Sequence, residues 1–176
     1  MLVYWLDLEL PKQILMRNSV WCLIGLIFLS GGCLKDNNRC EPNGSVAPAP
    51  EVQAVQDYLT GASITATKHS SGLFYNTISS GDGTAPNVCS TVKVDFTGKL
   101  TNGTQVEVGH DIHINLKFLV AGWQLGMPLI KPGGRIKLYV PPSLGYGSAG
   151  KKDSVGNVVV PPNSILIYDI SLKQVE

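Results

Sequence analysis

The side chains that most often do chemistry are sparse here and poorly spaced for it. Four cysteines, Cys22, Cys33, Cys40 and Cys89, form no Cys-x-x-Cys pair. With His69, His110 and His113 they make no cluster of metal-site spacing. His110 and His113 lie close together but have no third ligand nearby, so no metal and no cofactor is expected. No Ser-His-Asp set, paired-acid site or phosphate loop stands out. The residues that offer a site instead are apolar, in the run Leu119-Val120-Ala121-Gly122-Trp123-Gln124-Leu125-Gly126-Met127. Leu119 and Val120 read as an extended entry. Trp123 and Met127 are four apart and share one helix face, with Val120 a turn below Trp123. Pro128 removes an amide donor and disfavours helix at Met127. The helix is then about two turns long, too short to persist alone in water. A sheet must clasp it, and Trp123 becomes either plain core or the floor of a cavity the sheet leaves open.

The flanking sequence supplies such a sheet. Residues 73–78 and 88–100 read as strands, the second with Val92, Val94 and Phe96 on one face and Lys93 and Asp95 on the other. Between them Ser80-Gly81-Asp82-Gly83 turns the chain. Thr101-Asn102-Gly103-Thr104 is a hairpin turn with an Asn-Gly centre. Residues 105–108 return, and residues 112–116 alternate again. After the helix, Pro132-Gly133-Gly134 turns the chain into residues 135–140, with Ile136, Leu138 and Val140 on one face. Residues 141–162 read as a long loop. Residues 164–175 form the last strand, with Leu166, Tyr168, Ile170 and Leu172 inward. The fold class expected is α+β, an antiparallel β-sheet curled around a short α-helix.

At 176 residues the chain holds one domain, or one domain with an extension. A formal net charge of +1 implies no nucleic-acid partner. Residues 1–15 carry Asp7 and Glu9 where a secretory segment is basic. From Met16 the order changes: Arg17 is basic, residues 20–29 are apolar, and Ser30-Gly31-Gly32 precede Cys33. The apolar run is short for a membrane span. It resembles a bacterial lipoprotein signal peptide, which implies translation from Met16, cleavage before Cys33, lipidation of Cys33 and a lipid anchor in a bacterial envelope. An ordinary cleaved signal or a weak anchor is the plainer alternative. Residues 34–50 are polar, then rich in Pro, Gly and Ala, as a linker is. Val52, Val55 and Leu59 mark a short helix that Gly61 would end. The organisation expected is a signal over 1–33, a linker with a short helix over 34–60, and a domain over 61–176. Cys40 and Cys89 either form a bridge or stay free; counting does not choose.

Several short motifs now stand in order: Val94-Asp95-Phe96-Thr97-Gly98-Lys99-Leu100, Asn102-Gly103, Gly122-Trp123, Gly133-Gly134-Arg135, Tyr146-Gly147 and Pro161-Pro162-Asn163-Ser164-Ile165-Leu166. Together they resemble the FK506-binding-protein (FKBP) type of peptidyl-prolyl cis-trans isomerase over roughly residues 71–176. The resemblance implies a sheet over a short helix, an apolar pocket between them, and polypeptides containing X-Pro bonds as substrates. It also implies FK506- or rapamycin-like macrolides as ligands. By matching position, Trp123 is the pocket floor and Val120 supplies a backbone amide to a ligand carbonyl. Tyr146 donates its hydroxyl to a ligand carbonyl. Leu119 and Val160 are aliphatic walls, and Tyr168 is the aromatic of the last strand. Phe96 stands where the family usually has tyrosine. Val106 and Glu107 stand where it usually has Phe-Asp, so aromatic wall area is lost while the charge moves one methylene out. Ile112 or Ile114 stands in place of the family's sheet aromatics, with Ile112 taken as the binding residue. Residues 151–158 are longer than in compact members. The function expected is prolyl isomerisation in exported proteins, with a non-catalytic peptide-binding or chaperone lipoprotein as the alternative.

Overall fold

The computed structural model describes residues 40–42 and 44–176. The signal-like segment, the Met16 start and the Cys33 lipidation site lie outside the described residues. The strands are β1 (Thr67–Lys68), β2 (Phe74–Ser79), β3 (Thr91–Leu100), β4 (Gln105–Asn115), β5 (Arg135–Val140), β6 (Lys151–Lys152), β7 (Val158–Val160) and β8 (Leu166–Val175). Six of them make one antiparallel sheet in the order β1-β2-β5-β8-β3-β4, and β6 pairs with β7 separately. The helices are α1 (Ala49–Gly61) and α2 (Ala121–Gly126).

Alternation along β5 and β8 dictates the main core. Ile136, Leu138 and Val140 are fully buried, as are Leu166 and Ile170. Trp123 and Met127, four residues apart at α2, bury against this face. A six-residue helix gains little from its own hydrogen bonds, so close packing must hold it. Two glycines permit that approach. A Cβ on Gly122 would lie 2.6 Å from Val140 Cγ1, and one on Gly126 would lie 2.6 Å from Leu138 Cδ1. The entry to α2 is tied down by Gln124, whose side-chain amide donates to the Leu119 carbonyl at 2.9 Å and the Lys117 carbonyl at 3.2 Å.

Residues 47–60, which composition assigns to a linker and a short helix, pack on the sheet. Pro50 stands in the first turn of α1, where its missing N–H costs nothing. Val55 and Leu59 bury against Phe74 and Tyr139 on the other face of the sheet. Burying each such aliphatic side chain contributes about 1.5–3 kcal/mol. Ala47 is also buried, and its N–H donates to the Ser71 carbonyl at 2.8 Å. Cys40 is bonded to Cys89, 49 residues on, which fastens the described N-terminal end to the start of β3.

Two segments differ from the pattern read along the chain. Residues 105–108 and 112–116 belong to one strand, β4, joined by a bulge. Val94 pairs with Ile112 but Phe96 pairs with Gly109, so the partner strand carries one extra residue. Asp111 takes up the kink at φ 53°, and its N–H donates to the Asp95 carboxylate at 2.8 Å. The long loop over 141–162 is largely built. It holds two 3-10 turns, Pro142–Leu144 and Gly147–Ala149, and then the β6–β7 hairpin. Asp153 closes that hairpin by accepting from the Val155 and Asn157 N–H groups at 3.0 and 2.9 Å.

Candidate functional site

Between α2 and the strands β3, β4 and β8 lies a cavity of about 160 Å³. Its lining is Phe96, Glu107, Ile114, Leu119, Val120, Trp123, Tyr146, Lys151 and Tyr168. Each arrives from a different local cause. Phe96 and Tyr168 are inward residues of neighbouring strands. Trp123 projects from the first turn of α2, and Val120 is the N-cap of that helix, with no side-chain cap present. Trp123 is 3% exposed and meets two rings edge-on, Phe96 at 5.1 Å between centroids and Tyr168 at 5.4 Å. Such pairs add about 0.5–1.5 kcal/mol beyond area burial and fix the indole in place.

Two charged groups, Glu107 and Lys151, face this apolar surface. Glu107 accepts hydrogen bonds from the Tyr146 hydroxyl at 2.7 Å and the Tyr168 hydroxyl at 2.5 Å. The Lys151 ammonium also donates to it and stands 5.2 Å from the centre of the Tyr146 ring. The Glu107 side chain is only 12% exposed. Burial pushes its carboxyl pKa upward, but the hydrogen bonds from Lys151, Tyr168 and Tyr146 together prevail and hold it below the usual carboxylate range. Burial also opposes the charge on Lys151, and there the contact with Glu107 prevails and raises the ammonium pKa. Burial, then the Glu107 charge, pushes the Tyr168 hydroxyl far up. Burial likewise raises Tyr146, helped by its bond to Glu107. Both tyrosines therefore remain protonated donors at neutral pH.

The structure brings together Tyr146, Val120, Trp123, Glu107, Phe96, Leu119 and Tyr168 around one space. Three residues expected there stand elsewhere. Val106 lies at a second bulge of β4, between the pairs Gly98–Glu107 and Lys99–Gln105, and packs against the main core. Val160 is 1% exposed within that core, because the pairing of β7 with Lys151 turns it inward. Ile112 is 39% exposed, and Ile114 lines the cavity in its place. Both isoleucines share a face by the period of two, and Ile114 is the one nearer the turn Leu116–Phe118 that leads to α2. Lys151 also lines the cavity, and no motif in the sequence marks it. Its only signal was that residues 151–158 extend the loop after Tyr146. A larger hollow of about 320 Å³ beside α1, bordered by Val52, Gln53, Lys68 and Ser70, offers no aromatic surface.

The arrangement is an apolar, aromatic-walled cavity with hydroxyl donors and no nucleophile–base pair among its lining residues. It suits binding a small apolar group beside a carbonyl. Comparison with known proteins gives the family of similar chains. A family model described as FKBP-type peptidyl-prolyl cis-trans isomerase matches residues 83–173. A probable FKBP-type peptidyl-prolyl cis-trans isomerase of Haemophilus influenzae is 37% identical over 123 residues, 68% of this chain and 48% of that protein. FkpA of Escherichia coli strain K12, an FKBP-type peptidyl-prolyl cis-trans isomerase, is 37% identical over 111 residues, 61% of this chain and 39% of that protein. The crystal structure of Escherichia coli FkpA matches at a TM-score of 0.61 and 31% identity, covering 73% of this chain and 60% of that one. The matched region thus spans less than half the length of these two curated relatives.

Proposed function

The chain belongs to the FKBP-type peptidyl-prolyl cis-trans isomerase family, and from that premise we propose that it accelerates cis-trans isomerisation of X-Pro bonds in exported polypeptides. The observation that carries this reading is the cavity floored by Trp123 and walled by Phe96, Leu119 and Ile114, with the Tyr146 hydroxyl among them. An X-Pro amide is held by resonance, which gives peptide bonds a barrier near 18–20 kcal/mol. Uncatalysed exchange takes tens to hundreds of seconds. No bond to an atom is made or broken, so neither a nucleophile nor a metal is required. The planar amide is the more dipolar form, and an apolar cavity solvates it less well than water does. The twisted amide loses less on entry. A donor such as Tyr146 lowers the barrier to the extent that its bond to a substrate carbonyl strengthens in the twisted state. FK506- or rapamycin-like macrolides would compete for the same space.

The test is the isomerisation rate of an X-Pro peptide, followed without a coupling protease, in the presence of the full chain. A rate above that of solvent alone is expected, and a rate equal to it rejects turnover. The engagement of the Tyr146 hydroxyl by Glu107 favours a second reading, a peptide-holding module of the same fold. Binding of the peptide without acceleration is its signature.

The basic and apolar pattern before Cys33 supports a lipid-anchored protein on the periplasmic or outer-membrane face of a bacterial envelope. The Cys40–Cys89 disulfide also supports an oxidising compartment. Cys33→Ser should release the protein from membranes, because several acyl chains hold firmly where none would. A variant that stays membrane-bound on fractionation rejects the acyl anchor.

A further inference from the structure

Glu107 has two carboxylate oxygens and three donors, unevenly shared. Tyr168 donates to Oε2. Tyr146 donates to Oε1, and Lys151 donates to that same oxygen. The Tyr146 hydroxyl carries a single proton. It cannot donate to Glu107 and to a substrate carbonyl at once, so a substrate must draw it away from Oε1. A largely buried carboxylate oxygen left without a donor carries a full desolvation penalty. The ammonium on Oε1 removes that penalty: when Tyr146 leaves, Oε1 retains Lys151 and Oε2 retains Tyr168. Its positive charge also weakens the pull of the carboxylate on the Tyr146 proton.

We infer that Lys151 is a positioning residue, which holds Glu107 while Tyr146 swings its hydroxyl from Glu107 to the substrate. This rests on the isomerase reading of the same cavity. The local fold is built to deliver the ammonium there. Lys151 opens β6 and pairs with Val160 of β7, and the Gly150 N–H donates to the Tyr146 carbonyl at 3.1 Å. The tyrosine and the lysine are thereby set by one short stretch of chain. The Lys151 side chain is 40% exposed, and in Lys151→Met the Oε1 oxygen of Glu107 keeps the Tyr146 donor, so the variant is expected to fold, which circular dichroism checks before activity is read.

The experiment compares kcat/KM on an X-Pro peptide for the full chain and for Lys151→Met, Tyr146→Phe, the double variant and Lys151→Arg. With Tyr146 present, Lys151→Met should lose about tenfold, the size of a coupling within one hydrogen-bond network. With phenylalanine at 146 the same change should lose less than about twofold per folded molecule, since no hydroxyl remains to be released; it also leaves Oε1 without a donor, so the folded fraction of the double variant is measured first. Lys151→Arg should recover most of the activity. Equal losses in both backgrounds overturn the inference, because Lys151 would then touch the substrate itself. No loss with Tyr146 present also overturns it. A wild type without turnover instead rejects the isomerase reading. The same variants, titrated calorimetrically with the peptide, then decide the role of Lys151 from Kd, with the same background-dependent loss expected.

Discussion

Trp123 touches Phe96 and Tyr168 edge-on and is buried beneath both. Its removal therefore damages the fold as well as the site. Trp123→Ala is expected to lose about 3–5 kcal/mol of stability, measured by urea unfolding. A loss under 1 kcal/mol would mean that the cavity floor collapses around the gap. Glu107 makes a prediction with a sign. Its carboxyl pKa is lower in the folded chain than in the unfolded one, despite burial, because Lys151, Tyr168 and Tyr146 all donate to it. The folded state thus binds the proton more weakly. The contribution is fully present above the unfolded value, about 4.3 for a glutamate, and fades as pH falls through the lower folded value. Glu107→Gln should therefore be less stable than wild type at neutral pH, with the gap narrowing below about pH 4.3. An equal gap at pH 7 and pH 3 in urea titrations would refute the assignment.

At the scale of elements, α2 depends on its glycines. Both γ-methyls of Val140 would stand within 3 Å of a Cβ on Gly122, at 2.6 and 2.9 Å. Val140 is fully buried, so turning its β-branched side chain exchanges one methyl for the other without opening space. Gly122→Ala gains about 1 kcal/mol of helix propensity, but overpacking a filled core costs about 1–3 kcal/mol. The net expectation is a loss of about 1 kcal/mol, seen as a lower Tm; a raised Tm would show that α2 can move away from β5. Elements with a clear period were legible in the chain: Ile136, Leu138 and Val140 of β5 and Leu166, Tyr168, Ile170 and Leu172 of β8 recur every second residue and are buried, and α2 is bounded by Pro128. The hairpin of β6 and β7 was not legible. Its strands are two and three residues long, too short for a period to register, and it forms because Asp153 and Asn157 bond across the turn.

The whole molecule is held at its described N-terminal end by two devices, the α1 contact and the disulfide. Val55 and Leu59 close the face of the sheet that α2 leaves uncovered. The Cys40–Cys89 bond closes a loop with a sequence separation of 49 residues. Removing it frees the unfolded chain more than the folded one, at about 2–4 kcal/mol. Urea unfolding with and without reductant should show a drop of that size. Unchanged stability would mean that α1 alone fixes this end. Peptide mapping without reduction should find the segments containing Cys40 and Cys89 linked.

The sequence by itself determined the alternating strands, the two-turn helix carrying Trp123, and the order of motifs that carries the family resemblance. These are local properties, set by side-chain period, proline and glycine. It also supplied Trp123, Tyr146, Phe96, Glu107 and Val120 as candidate site residues, and the structure gathers those five around one cavity. Tertiary structure alone decided what depends on bulges and on pairing distant in sequence. The bulges of β4 send Glu107 into the cavity and leave Val106 against the core. Pairing with Lys151 draws Val160 inward. Lys151 reaches Glu107 across 44 residues of sequence. No period or motif marks a lysine for such a contact. Its role exists only where the hairpin after Tyr146 folds back over β4.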